Sequence, residues 1–222
     1  MGQIDIALVA CCSSLEYWER WGSQFCSTIE GLHTKPKEVI VASLVPLPVP
    51  DYIKNIESKI MFWDTINDGV RAASAEWVWP VGTDDLIEPT ALDDIDFRGD
   101  VIAVSGVQST GQSFFADPNG FDRILTIGHN PMRGGMMFRR EVGLMLPFRR
   151  SKNADWMLWS EIRHHKLEVQ FDPKVRFTHV RHAEAMSVNP DSEADRQVEI
   201  LKMMLLDGNV KPGPEWPPVL LG

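Results

Sequence analysis

The stretch from Glu76 to Leu92 reads EWVWPVGTDDLIEPTAL. Its first part, Glu76 to Val81, is a short apolar run rich in aromatic and β-branched residues, the composition of a strand buried on both faces. Pro80 donates no ladder hydrogen bond, so it belongs near the end of that strand. Gly82, Thr83, Asp84 and Asp85 then form a turn, and Pro89 with Thr90 predicts a helix start soon afterwards. Two adjacent carboxylates at a strand end repel one another unless something positive joins them. Mg²⁺ or Mn²⁺ suits that place, as hard cations that take oxygen ligands and keep coordination positions for phosphate oxygens. The plainer alternative is a polar turn in which Asp85 caps the next helix.

Upstream, Ile66, Val70 and Ala73 mark one face of a helix, and Lys59 to Trp63 (KIMFW) reads as a third strand. Val45 to Pro50 (VPLPVP) has too many prolines for a central strand and reads as an extended loop. Glu38 to Ala42 (EVIVA) is a second buried strand, and Ile4 to Ala10 is the first. Between them, Ser13 and Glu16 have capping-box spacing, and Leu15, Trp18, Phe25 and Ile29 fall close to one helical face. Strand, helix, strand at the start predicts an α/β fold with a mostly parallel central sheet flanked by helices. In such sheets ligands bind beyond the carboxyl ends of the strands, which is where Asp84 and Asp85 fall.

Downstream, Val101 to Ser105 is a strand, and Gly106 to Asn130 is a loop or hairpin region. Met136 to Arg139 is a strand candidate, Asp155 to His164 a helix, and Val169 to Phe171 a late strand. Ser192 and Asp195 open another helical pattern, lined by Val198, Leu201 and Leu205. Lys211 to Gly222, with four prolines and two glycines, reads as an irregular tail. No linker splits the chain, so one domain over residues 1–210 followed by a tail over 211–222 is expected.

The 222 residues are 44% hydrophobic with a formal net charge of −9, enough apolar material for one well-buried core. An acidic chain is a poor general binder of nucleic acid, whose affinity rests on cationic side chains. The charge is uneven, however. Pro131 to His182 carries eleven lysines and arginines against five aspartates and glutamates. Such a stretch suits a compact anionic ligand, or is simply a solvated face. Cys11, Cys12 and Cys26 form neither a disulfide framework nor a zinc spacing. With no visible signal peptide or apolar run of membrane length, a soluble cytoplasmic protein is expected.

The order of motifs resembles the family 2 glycosyltransferases. Asn67-Asp68-Gly69, Ala72-Ala73, the strand at Ala75 to Trp79, Gly82-Thr83-Asp84-Asp85, and then Pro89 and Leu92 follow that family's succession of Asn-x-Gly helix, apolar strand and Asp-rich turn. Arg133 to Arg140 (RGGMMFRR) resembles the segment before its acceptor region. Asn153 to Trp159 (NADWMLW) is similar to the helix start that supplies its catalytic base, and Arg181-His182 with Ser187 resembles its closing element. The likeness runs from about Ile4 to Ser187.

The resemblance implies the GT-A fold, a Rossmann-like sheet flanked by helices. It also implies metal-dependent, inverting transfer of a sugar from a nucleotide-sugar donor of UDP or GDP type to a sugar, lipid or protein acceptor. By residue, it implies Asp155 as the base, and Asn67, Gly69, Arg71, Asp84, Gly134 and Gly135 on the donor side. Asp84, Asp85 and His182 would hold Mn²⁺ or Mg²⁺, with His179 close enough to compete with His182. The sequence departs from the family pattern in four places. Gly82 stands where the Asp-x-Asp triplet has its first acid, and Ala154 where Glu is usual. Strand one ends Ala10-Cys11-Cys12-Ser13-Ser14 rather than in a Pro-Thr-Tyr-Asn type segment, and strand two ends Ala42-Ser43-Leu44 without acidic residues. Two other readings remain open. A nucleotidyltransferase on a similar fold would carry a Gly-rich, basic loop after strand one, and a non-catalytic module would keep the fold and only bind.

Overall fold

β1 (Gln3–Cys12) is buried without a break from Ile6 to Cys12 because apolar layers cover both of its faces. Alternate side chains of a strand point to opposite faces. Ile6, Leu8, Ala10 and Cys12 therefore pack in one cluster with Trp18, Phe25 and Ile29 of α1 (Leu15–Gly31). Ala7, Val9 and Cys11 enter the other cluster, which includes Ile66 and Val70 from the helix that packs on that side. In this computed structural model residues 3–58, 62–114, 118–122, 124, 132, 135–149 and 154–182 are described.

The chain continues through β2 (Lys35–Ser43), β3 (Ile53–Glu57), α2 (Phe62–Ala72), β4 (Trp77–Gly82), β5 (Leu86–Ile87), β6 (Val101–Gln108) and β7 (Ser113–Phe114). Then come α3 (Pro118–Asp122), β8 (Gly135–Arg139), α4 (Arg140–Met145), α5 (Ala154–His164) and β9 (Val169–His179). The strands form one sheet in the order β3-β2-β1-β4-β8-β6-β9-β5, with β7 paired to β6. The long ladders β2 with β3, β1 with β2, β1 with β4, and β6 with β9 are parallel. The antiparallel ones, made by β8, β7 and β5, are short. The sheet is thus mixed and mostly parallel, as expected. β8 pairs with β4 only at Trp77 and Val78, so that ladder ends before Pro80.

Four local expectations are corrected. The N-cap of α1 is Ser14 rather than Ser13, its hydroxyl accepting from the Tyr17 N–H at 3.1 Å. The third strand is Ile53–Glu57 and not Lys59 to Trp63. Phe62 and Trp63 begin α2, while Lys59 to Met61 lie outside the described residues. A short apolar run does not distinguish strand from helix entry, and the real strand is half polar because it lies at the sheet edge. There the Asn55 amide donates to the Val41 carbonyl at 2.8 Å and accepts from the Leu47 N–H at 3.0 Å.

No helix follows Pro89 and Thr90. Successive turns run there, and the carbonyls of Thr90, Ala91 and Asp93 accept from the Arg176 guanidinium at 3.3, 3.3 and 2.8 Å. Finally, the late strand extends far beyond Phe171. Its register against β6 slips between Val104 and Gly106, so Asp172-Pro173-Lys174 is a bulge that lets proline stay within a strand. The pattern at Ser192 and the tail from Lys211 lie outside the described residues. Among the described residues no helix is long and apolar enough to cross a membrane.

Arg176 and Asp172 are both buried and meet at 2.7 Å. Asp172 also accepts from the Lys174 N–H at 3.0 Å, and its carbonyl from the Ser105 hydroxyl at 2.8 Å. Removing one partner of such a pair strands a buried charge, at a cost of about 3–5 kcal/mol. Asp172→Ala is therefore expected to lower unfolding stability by that order in urea titration. Asp172→Ala combined with Arg176→Met is expected to recover much of it, and equal loss in the single and double variants would contradict this account.

Candidate active site

Asp84 and Asp85 follow the carboxyl end of β4, and β9 ends beside them. Each carboxylate meets its own histidine. Asp85 Oδ1 lies 2.8 Å from His179 Nδ1, and Asp84 Oδ2 lies 2.9 Å from His182 Nε2. All four side chains are largely shielded from solvent, His182 to 9% exposure and Asp84 to 14%. Asp85 is further fixed by its second oxygen, which accepts from the Gly82 N–H at 3.0 Å. Thr83, between these residues, is buried and donates to the Cys11 carbonyl at 3.3 Å, which ties the turn to the end of β1.

Gly82 sits against both carboxylates. A Cβ there would lie 2.5 Å from Asp84 Oδ1 and 2.8 Å from Asp85 Oδ2. A side chain at this position would require those two carboxylates to turn aside.

Helix α1 supplies residues that the sequence reading missed. The Tyr17 hydroxyl lies 3.4 Å from His182 Nε2, the Trp21 and His182 ring centroids are 4.8 Å apart, and Gln24 donates to the Asp84 carbonyl at 3.3 Å. The sequence did hold a signal for them. Spacing of i, i+4 and i+7 puts all three on one helical face, beside the apolar face carrying Trp18, Phe25 and Ile29. Burial, together with the negative Asp84, pushes the Tyr17 phenol well up, so its hydroxyl remains a donor. The same causes push up the buried Cys11 thiol.

The other anticipated residues have contacts elsewhere. Asn67 is buried, and its amide makes a two-way bond with the Phe148 backbone, donating to the carbonyl at 2.8 Å and accepting from the N–H at 2.9 Å. A Cβ at Gly69 would come within 2.3 Å of Val9 Cγ1, so the glycine lets α2 lie close on β1. Arg71 pairs with Asp68 one turn earlier on the exposed side of α2. Gly135 leaves room for the rings of Phe177 and Trp79, which a Cβ would meet at 3.3 and 3.4 Å. Asp155 lies in the first turn of α5, which begins at Ala154. Gly134 and Ser187 lie outside the described residues. Among the described cations of the basic stretch, Arg139 pairs with Glu76, Arg149 with Glu161, Lys174 with Asp94 and Arg176 with Asp172.

Carboxylate oxygen with imidazole nitrogen is a donor set that suits Mn²⁺. Asp84 and His182 already touch, and His182 Nδ1 is buried without a hydrogen-bond partner among the described residues. Asp85 is different, with one oxygen on His179 and the other on Gly82. Among the described residues no group of three or more such side chains is assembled to hold an ion. The residues fit a cation held by Asp84 and His182, with the remaining coordination left to a ligand.

No protein-family model matches the chain, and no curated protein matches it in sequence. Solved structures do match in fold. The S. aureus TarS 1-349 complex with UDP-GlcNAc superposes with a TM-score of 0.65 at 16% identity, over 91% of this chain and 66% of that one. Glucosyl-3-phosphoglycerate synthase from Mycobacterium tuberculosis, in complex with Mn²⁺, UDP and phosphoglyceric acid, gives 0.59 at 13% identity, over 94% and 80%. Mannosyltransferase PcManGT from Pyrobaculum calidifontis, in complex with GDP-Man and Mn²⁺, gives 0.57 at 13%, over 98% and 68%. The chain thus has the GT-A fold. It spans 66% of the TarS 1-349 chain and 42% of a longer TarS chain.

The His179–Asp85 hydrogen bond raises the His179 pKa above its ordinary value, against burial, which lowers it. A histidine raised on folding adds stability that is complete below its unfolded value, about 6.5, and is lost as pH climbs through the folded value. In metal-free protein the His179 ring should titrate above 6.5 by NMR, and Asp85→Asn should bring it down. The stability gap between wild type and Asp85→Asn should be widest in mildly acidic solution and narrow as pH rises through the folded His179 value. A His179 that titrates identically in both proteins would show that the contact does not form in solution.

Proposed function

We propose that this chain transfers a sugar from a nucleotide-sugar donor to an acceptor hydroxyl, with inversion, at the Asp84–His182 pair. The observation that carries the reading is the contact between these two residues, 98 apart in sequence, at the carboxyl end of β4 in a GT-A fold. Ligands of open α/β sheets bind at such strand ends. TarS is solved with UDP-GlcNAc and PcManGT with GDP-Man, and the complexes of PcManGT and of glucosyl-3-phosphoglycerate synthase hold Mn²⁺.

In this reading Asp84 and His182 hold Mn²⁺ or Mg²⁺, and Asp85 supports the turn from behind through Gly82 and His179. The cation, when bound, offsets the negative charge that grows on the departing diphosphate. Asp155 takes the proton from the acceptor hydroxyl as that oxygen attacks the anomeric carbon. The first turn of a helix favours the ionised carboxylate that this step requires. Asn67 and Gly69 act one step removed, holding α2 against Phe148 and β1. The donor-side role of Arg71, Gly134 and Gly135 belongs to the same proposal, as does the choice between UDP and GDP.

Calorimetric titration of a nucleoside diphosphate with Mn²⁺ tests the pair. Asp84→Asn should remain folded and lose the metal-dependent part of the affinity, and unchanged metal-dependent affinity would defeat the assignment. Asp155→Asn should keep donor affinity while turnover with a working acceptor falls by roughly 10²-fold or more, the scale of a lost general base. Unchanged turnover would reduce Asp155 to a helix-end residue.

A further inference from the structure

A histidine that serves a metal site almost always donates its second ring nitrogen to a carboxylate, a carbonyl or a water, and that bond fixes the ring's orientation. His182 lacks this device among the described residues. Its Nε2 faces Asp84, and its Nδ1 is buried with no partner. Aromatic rings surround it instead. Trp21 lies 4.8 Å away between centroids at an interplanar angle of 35°, and Tyr17 lies 6.2 Å away at 49°. Trp21 and Tyr17 in turn contact each other at 6.5 Å, and the Arg20 guanidinium sits 5.4 Å from the Trp21 ring centroid.

The helix is built to present these rings. Ser14 caps its first turn, which fixes where the face carrying Tyr17 begins. One residue beyond Trp21, a Cβ on Gly22 would meet the Trp18 ring at 2.6 Å. Glycine there lets Trp18 lie flat into the core with Phe25, so the two tryptophans serve different faces. On the outer face Gln24 completes the set through the Asp84 carbonyl. One helical stripe therefore touches both halves of the Asp84–His182 pair.

We propose that Tyr17, Trp21 and Gln24 of α1 are positioning residues for the cation site, and that ring contact with Trp21 orients His182, whose Nδ1 has no hydrogen-bond partner among the described residues. The proposal rests on the reading of Asp84 and His182 as that site. Loss of an outer-sphere partner ordinarily weakens metal affinity 10- to 100-fold. Tyr17 and Trp21 set the affinity in the same way through ring contact with His182, and Gln24 through the Asp84 carbonyl.

Two measurements separate this proposal from the functional reading. In metal-free protein, the ring nitrogens of His182 are followed by NMR in wild type, Trp21→Leu, Trp21→Phe and Tyr17→Phe. Trp21→Leu should shift or broaden the His182 signals, while Trp21→Phe, which keeps a ring, should leave them near wild type. Mn²⁺ affinity is then measured by titration without donor, where Trp21→Leu should bind about tenfold more weakly or worse. If Trp21→Leu does not fold, Tyr17→Phe, which removes only the hydroxyl facing His182 Nε2, must still move that nitrogen's signal. Unshifted His182 signals in a folded Trp21→Leu protein would overturn the proposal. Shifted His182 signals in a protein that binds no Mn²⁺ would retain the ring contact and sink the functional reading instead.

Discussion

The buried Arg176–Asp172 pair is the constraint on which the carboxylate end of this molecule depends. Neither residue belongs to the site, but the pair fixes three pieces of chain that do not adjoin in sequence. The guanidinium collects the carbonyls after β5, and so prevents the Pro89 segment from winding into a helix. The carboxylate holds the bulge in β9, and the neighbouring serine of β6 ties that bulge to the sheet. With both set, the last residues of β9 run beside the turn after β4 and deliver His179 and His182 to it. An ion pair of this kind contributes little net stability compared with a well-packed apolar substitute. Its value here is in selecting one path for the chain.

At the site itself, two adjacent carboxylates could have shared one positive partner. Each instead has its own imidazole, and the two arrangements differ in rigidity. Asp85 is held at both oxygens, by His179 and by a backbone N–H, and behaves as part of the turn. Asp84 has a ring on one side whose far nitrogen has no hydrogen-bond partner among the described residues. That contrast is why the cation reading centres on Asp84. The Tyr17 phenol, kept protonated by burial beside this charge, gives Asp84 a donor that does not titrate in the neutral range.

Much of this was legible in the sequence, for identifiable reasons. β1, β2, β4 and β6 are continuous apolar runs because the sheet is covered on both faces, and such runs are easy to read. β3 was missed because an edge strand has one neighbour and tolerates Lys54 and Asn55. The second half of β9 was missed because Asp172-Pro173-Lys174 carries every mark of a turn, and only the tertiary partner Arg176 makes it a bulge. Asp84 and Asp85 could be named as candidates from their place at a strand end, and His182 only through the resemblance of Arg181-His182 to the family's closing element. Asn67 and Gly69 were legible as special but not as to purpose. A buried amide bonded to a backbone 81 residues away, and a glycine that admits a valine, look the same in sequence as ligand contacts. Trp21 was hidden by its own helix, where an aromatic residue reads as core.

Gly82 carries a consequence that reaches beyond the static geometry. Its missing side chain is the space into which two carboxylates lean, so the identities at 82, 84 and 85 are not independent choices. A side chain at 82 would press on both carboxylates, one of which, Asp85, also accepts from the Gly82 N–H. A substitution at 82 is therefore felt at 84 and 85, and through Asp85 at His179.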